Sequence, residues 1–199
     1  MNYSIAIKTL KQDFILSQVI EQIGECRLNQ VQQTGDLLYC LSRAIIYQQL
    51  SGKAASAIHH RFLQLYDSLT PIDIINTPDE VLRSVGISRP KITYLKDLAQ
   101  RYEQLPSIDI LQTMDDETII KSLTVIKGIG RWTVQMLLMF RLHRWDVLPV
   151  DDLGIRNAIR NVYNLPEFPN KKTVEQFGQQ WQPYRTIACW YLWQSLNNF

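Results

Sequence analysis

Apolar residues in this chain recur every three to four positions and almost never alternate, which excludes most folds. A half-buried strand needs period-two alternation, whereas a spacing of i, i+3, i+4, i+7 lays an apolar stripe along one face of a helix. FILSQVIEQIGEC, DLLYCLSRAIIYQQL, SGKAASAIHHRFLQLYDSL, TPDEVLRSV, SRPKITYLKDLAQRYEQL and MDDETIIKSLTVI all carry the helical spacing. In the second of these the stripe is Leu37, Leu38, Leu41, Ala44 and Ile45. Boundary signals agree with it. The first helix should end near Gly24, and Ser51 should cap the third, because its hydroxyl can accept from first-turn amides. Thr77 should cap TPDEVLRSV with Pro78 at its first position, and the acids of MDDET suit the positive end of a helix. LPVDDLGIRNAIRNVYNL continues the pattern, NLPEFPNKK reads as a loop, and TVEQFGQQW and PYRTIACWYLWQSL close the chain as helices. The expectation is an all-α fold of about ten helices, with no internal repeat.

The stretch IKGIGRWTVQMLLMF, from Ile126 to Phe140, places two glycines at a helix entrance, where they disfavour helix. A dinucleotide fingerprint would need a third glycine where Thr133 stands, and a strand where KSLTVI continues a helix. A P-loop would need a following Gly-Lys-Ser/Thr. What fits is helix, short turn, helix. Gly128 permits a positive φ at the end of the first helix. Gly130 leaves the amides at the start of the second uncovered, and those amides with the helix dipole make an anion site. Such a turn can hold a nucleic-acid phosphate without reading sequence. The net charge of +2 decides nothing, but seven Lys and Arg against three acids lie between Lys121 and Arg160, around this turn.

LTVIKGIGRWTVQMLLMF resembles the hairpin of the helix-hairpin-helix (HhH-GPD) base-excision DNA glycosylases. LPVDDLGIRNAI resembles the family's Gly/Pro-rich loop with its catalytic Asp, and the spacing to Asp152 suits the alkylpurine branch, the 3-methyladenine DNA glycosylase II type. The likeness extends back through SRAIIYQQLSGKAA and GISRPKITYLKDLA and forward through WQPYRTIACWYLW, from about residue 36 onward. It implies one glycosylase unit over residues 1–199, built as two helical lobes with a cleft between them. Residues 35–150 would form the central lobe with the hairpin, and 1–34 with 151–199 the other. The implied activity is monofunctional hydrolysis of the N-glycosidic bond of alkylated purines such as 3-methyladenine and 7-methylguanine, in base excision repair. The competing readings are a helix-hairpin-helix protein that binds DNA without catalysis, and a glycosylase for deaminated or oxidised bases.

Cleavage of the C1′–N bond passes through an oxocarbenium-like sugar, which a buried carboxylate can stabilise. Motif position makes Asp152 the candidate, with Asp151 as the fallback; either is also a good N-cap for LGIRNAIRNVY. The base must leave the duplex and enter a pocket. An N-alkylated purine is cationic, and indole faces attract cations. The chain has five tryptophans. The resemblance makes Trp193 the stacking ring and adds Trp132, Met136 one turn further on, Tyr47 as a pocket wall and Gln48 to the substrate side. Trp145, Trp181 and Trp190 are expected in the core. One of Gln48 and Gln49 would fill the vacated stack or meet the opposite base, the other lying near the pocket. DNA contacts are expected from Gln49, Ser51, Lys53, Lys127, Gly128, Gly130, Arg131 and Thr133.

Bifunctional relatives carry a Schiff-base lysine just inside the second hairpin helix. Trp132 stands there, and Lys127 precedes the first glycine, so no lyase activity is expected. Cys26, Cys40 and Cys189 form no C-x-x-C pair and exclude a four-cysteine zinc site or iron–sulfur cluster within the chain. No cofactor is required. The resemblance allows an alkali cation, Na+ or K+, on the backbone carbonyls of Thr124, Ile126 and Gly128. An extra N-terminal β domain, present in some relatives, would not fit in the residues ahead of the match. No apolar run reaches the roughly 18–20 residues of a membrane span, and the N-terminus lacks a signal-peptide pattern. The expected setting is cytoplasmic or nuclear, as a monomer, with damaged double-stranded DNA as partner and no membrane.

Overall fold

The computed structural model describes residues 3–31 and 34–196. The chain divides into two compact units, Met1–Gln32 with Leu138–Phe199, and Gln33–Leu137. In chain order the first unit opens with α1 (Ser4–Leu10) and α2 (Phe14–Ile23). The second unit holds α3 (Leu37–Tyr47), α4 (Gly52–Leu63), α5 (Pro71–Asn76), α6 (Asp79–Ser84), α7 (Arg89–Arg101), α8 (Ile108–Thr113) and α9 (Asp116–Leu123). The boundary falls within α10 (Arg131–Phe140), and α11 (Leu153–Val162), α12 (Lys171–Gln179) and α13 (Arg185–Ser195) complete the first unit. Among the described residues the secondary structure is helical, with no strand, so the all-α expectation holds. The described residues form thirteen α-helices rather than ten. The additional ones, α1, α5 and α8, span seven, six and six residues, too short for a 3.6-residue period to show.

In the second unit α7 packs against α3, α5 and α6, burying Ile92, Leu95, Leu98 and Ala99. Asp36 caps α3 through the Tyr39 N–H at 2.8 Å, and Ser51 caps α4 as expected. Thr77 does not cap α6. It ends α5 instead: its hydroxyl donates to the Asp73 carbonyl at 2.6 Å and meets the Tyr66 hydroxyl at 2.9 Å. A helix directly upstream takes a group that would otherwise start the next one.

In the first unit α13 packs against α1, α2 and α11. Its residues from Thr186 to Leu192 are all buried, so it lacks the polar face of a surface helix. Trp181 and Trp190 are core residues, as expected. Trp181 donates its indole N–H to Asp13 at 3.0 Å, and the Tyr163 hydroxyl bonds the same carboxylate oxygen. Burial and Asp13 push the Tyr163 phenol up from its ordinary range. Residues 138–150, expected in the central lobe, lie in the first unit. The reason is a set of bonds to the start of α13. Arg185 grips the Asp146 carboxylate at 2.7 and 2.9 Å. The Thr186 hydroxyl donates to the Arg144 carbonyl at 2.7 Å and accepts the Val147 N–H at 3.1 Å.

Candidate functional site

The expected site residues fall into two groups, one in each unit. In the first unit the segment before α11 closes a turn, with the Asp152 N–H on the Pro149 carbonyl at 3.0 Å. Asp152 is buried whereas its neighbour Asp151 is exposed and pairs with Lys171 at 2.7 Å. That contrast separates the candidate from its fallback. Asp152 Oδ1 accepts the Ile155 N–H at 2.8 Å, capping α11, and the Trp193 indole N–H at 3.0 Å. The residue singled out by the motif is thus the N-cap of α11. Cys189 lies one turn before Trp193 on α13; burial first, and then the Asp152 charge, push its thiol well above the ordinary range. The Phe140 ring stands 6.0 Å from that of Trp193, tilted by 33°. Trp145, expected in the core, is half-buried and packs its ring between Tyr3 and Tyr184.

Gly154 is a site residue that the sequence reading missed. A Cβ there would lie 3.0 Å from Asp152 Oδ1 and 3.1 Å from Trp193 Nε1. A side chain at this position would crowd the contact between the carboxylate and the indole. The available signal was a glycine in the first turn of a helix, with no turn there to explain it.

In the second unit the hairpin runs from α9 to α10. Gly128 has φ 79°, and a Cβ there would stand 2.3 Å from the Tyr94 ring. Gly130 differs: its φ is not positive, and a Cβ would meet nothing within 4 Å. Nothing in the surrounding structure requires a glycine there. The Lys127 N–H donates to Asp97 at 2.9 Å, with the Lys127 ammonium 3.6 Å from the same carboxylate. Burial alone would raise the Asp97 carboxyl, but the Lys127 N–H and Arg101 outweigh it and hold it below the ordinary carboxylate range. Arg131 is exposed and paired with Glu117. Trp132 is 44% exposed and Met136 half-buried. Thr133 is buried, so its side chain is not at the surface where a DNA contact was expected.

The Tyr47–Ser51 corner belongs to the same unit. The Gln48 amide donates to the Gly128 carbonyl at 2.7 Å. Gln49 is exposed and adopts φ 57°, an uncommon conformation for a residue with a side chain. Lys53 is exposed in the first turn of α4. The Arg43 guanidinium covers one face of Tyr47, 4.2 Å from the ring centre, and His59 approaches its edge. Of the three expected cation-holding carbonyls, Ile126 accepts the Ile129 N–H at 3.1 Å and Gly128 the Gln48 amide. Among the described residues no cluster of His, Cys, Asp or Glu could hold a metal ion, and no helix is long and apolar enough to cross a membrane.

The profile of the HhH-GPD superfamily of base excision DNA repair proteins matches residues 42–183. The chain belongs to that superfamily. DNA-3-methyladenine glycosylase 1 of Schizosaccharomyces pombe is 39% identical to it over 183 residues, covering 89% of this chain and 80% of the relative. The structure of 3-methyladenine DNA glycosylase (Mag1) from that yeast, in complex with abasic DNA, superposes with a TM-score of 0.89 at 37% identity, over 98% of this chain and 97% of that one. A DNA-3-methyladenine glycosidase from Bacillus halodurans gives a TM-score of 0.83 at 38% identity, over 96% and 89%. The HhH-GPD membership confirms the resemblance read from the hairpin and the Val-Asp-Asp segment.

Proposed function

We propose that this HhH-GPD protein is a monofunctional DNA glycosylase that removes N-alkylated purines, of the 3-methyladenine and 7-methylguanine type, from duplex DNA. The observation that carries the reading is the buried Asp152 carboxylate, held by the Trp193 indole and the start of α11. A fixed anion stabilises the positive sugar that forms as the bond breaks. In the step, a water oxygen bonds C1′, the C1′–N bond breaks, and its electron pair departs with the base. The proton lost by the water passes to Asp152 or to solvent. A cationic alkylpurine leaves neutral, so no acid is needed to protonate it. Trp193, bonded to Asp152, supplies a ring face for the base, and the attraction of indole for a cation favours the alkylated form.

Gln49 is the better wedge. Its side chain is exposed on a strained backbone, whereas the Gln48 amide is committed to the hairpin. Gly128, Gly130, Lys127, Arg131 and the backbone N–H of Thr133 would receive phosphate at the start of α10, with Ser51 and Lys53 beside the wedge. Each carbonyl oxygen has two lone pairs. An alkali cation on Thr124, Ile126 and Gly128 would therefore share Ile126 and Gly128 with their present donors and draw a phosphate to the turn.

The test is abasic-site formation on duplexes that each carry one lesion, 3-methyladenine, 7-methylguanine, ethenoadenine or hypoxanthine. Release of the methylated purines, slowed by about 10²–10³-fold in Asp152→Asn while duplex binding persists, is the expected result. Binding with no abasic product from any lesion would overturn the reading in favour of a non-catalytic binder. Release of hypoxanthine alone would move the substrate to deaminated bases.

A further inference from the structure

The segment GISRPKITYLKDLA is left without a task by the chemistry proposed above. Three of its residues, Lys91, Tyr94 and Asp97, are spaced three apart on α7 and so share one side of that helix. Each touches a loop that the proposed function uses. The Lys91 ammonium donates to the Ile46 carbonyl at 2.8 Å and the Gln48 carbonyl at 2.6 Å. These lie at the C-terminal end of α3, where the helix dipole favours a cation. The Tyr94 ring lies against Gly128, so closely that no Cβ could stand there. Asp97, which is buried, receives the Lys127 N–H at 2.9 Å. The Gln48 amide closes the circuit on the Gly128 carbonyl.

Lys91 is itself partly buried, and burial lowers its amine from the ordinary lysine range. Placing charges in such surroundings is unfavourable unless they are paired. For stability alone, apolar residues would serve as well. What ionic groups add here is direction: two named carbonyls and one named N–H are held at fixed points along a single helix.

We propose that Lys91, Tyr94 and Asp97 are positioning residues that fix the Gln49 corner relative to the glycines of the hairpin, so that wedging the stack and gripping the phosphate occur on one rigid frame. This rests on the glycosylase reading for the roles of the two loops. The bonds themselves are independent of it.

The experiment uses the full chain and a duplex with 2-aminopurine beside a tetrahydrofuran abasic-site analogue. Binding is read by anisotropy, and wedge insertion by the 2-aminopurine fluorescence change at saturation. Lys91→Met and Asp97→Ala, each of which removes the bonding group, should bind the duplex yet lose most of the fluorescence change, and Lys91→Arg should recover it. Excision of a methylated purine from paired duplex should fall about tenfold in the two variants, the effect of one lost charge-assisted hydrogen bond. Asp97→Ala removes the acceptor of the Lys127 N–H without touching Lys91 and remains informative if Lys91→Met does not fold. Wild-type fluorescence changes in both variants would overturn the proposal. So would losses that follow the melting temperature and are not recovered by Lys91→Arg. If wild-type protein excises nothing while the fluorescence pattern holds, the frame stands and the glycosylase reading falls.

Discussion

The Trp193 indole N–H and the Ile155 backbone N–H converge on one oxygen of Asp152, at 3.0 and 2.8 Å. A carboxylate fixed through one oxygen has a set plane and cannot rotate freely. The same bond sets the Trp193 ring, which also packs near Phe140. If the ring holds the base and the acid faces the sugar, one hydrogen bond aligns both halves of the nucleotide.

Asp152→Asn tests the charge apart from the fold. Asparagine is as good an N-cap as aspartate, and its carbonyl oxygen can still accept both N–H groups. Thermal stability should change by less than about 0.5 kcal/mol, while excision falls by about 10²–10³-fold. Asp152→Ala should also cost about 1 kcal/mol of stability through the lost cap. Calorimetry beside single-turnover excision separates the two effects, and equal activity of Asp152→Asn and wild type would remove Asp152 from the chemistry.

Gly154→Ala probes the same bond from the side. Alanine is the better helix residue by about 1 kcal/mol, which offsets part of the crowding, so the protein should stay folded. Its methyl would sit 3.0 Å from Asp152 Oδ1 and 3.1 Å from the Trp193 indole nitrogen, and the carboxylate and ring must give by a few tenths of an ångström, which strains the contact between them. Excision should fall about tenfold, as for one lost hydrogen bond to a charged group. Trp193→Phe, which keeps a ring and removes the donor, should fall comparably. Affinity for undamaged duplex should not change in either variant.

The two hairpin glycines should respond in opposite ways. Gly128→Ala forces a methyl into the Tyr94 ring at a φ of 79° and should cost more than about 1 kcal/mol in urea melts. Gly130→Ala meets open space and should leave stability within about 0.5 kcal/mol. It should nonetheless weaken duplex binding in fluorescence anisotropy, because its methyl would occupy the approach to the amides at the start of α10. Undiminished binding by Gly130→Ala would remove the hairpin from the proposed phosphate contact.

On the family resemblance, Trp132 takes the position that holds the Schiff-base lysine of bifunctional relatives, and no strand cleavage is predicted. Borohydride added during turnover should trap no covalent protein–DNA adduct, and the abasic product should stay intact until alkali is added. A trapped adduct would show that another amine reaches C1′.

What the sequence disclosed depended on how local each signal was. Helix periodicity and the Ser51 cap are written within one or two turns, and the hairpin glycines within three residues. The Asp152 motif was legible because its turn, its cap and its acid are contiguous. The role of Thr77 was misread because its partners, Asp73 and Tyr66, come from upstream elements. The boundary set at Val150 was misread because Asp146 and Arg144 are held from α13, about forty residues further on. Gly154 and Lys91 were invisible for the same reason. A glycine needed by a contact with residue 193, or a lysine needed by carbonyls at 46 and 48, has no neighbour in sequence to explain it.

His59 should make the fold acid-sensitive in a window where carboxylates are silent. It is buried beside Tyr39 and Tyr47. Burial first, then the charges of Arg43 and His60, push it down from 6.5 to about 4. Between those values the unfolded chain takes up a proton that the folded chain refuses, so stability is full above the upper value and declines as pH falls toward the lower one. The loss between pH 7 and pH 5 should be about 2 kcal/mol from this group. His143 is lowered in the same direction and adds to the slope. His59→Phe keeps a ring between the tyrosines and removes the titration, so its stability should be flatter across that range. Urea melts at several pH values read this directly. A variant whose slope matched wild type would show that residue 59 is protonated in the native protein as readily as in the unfolded chain.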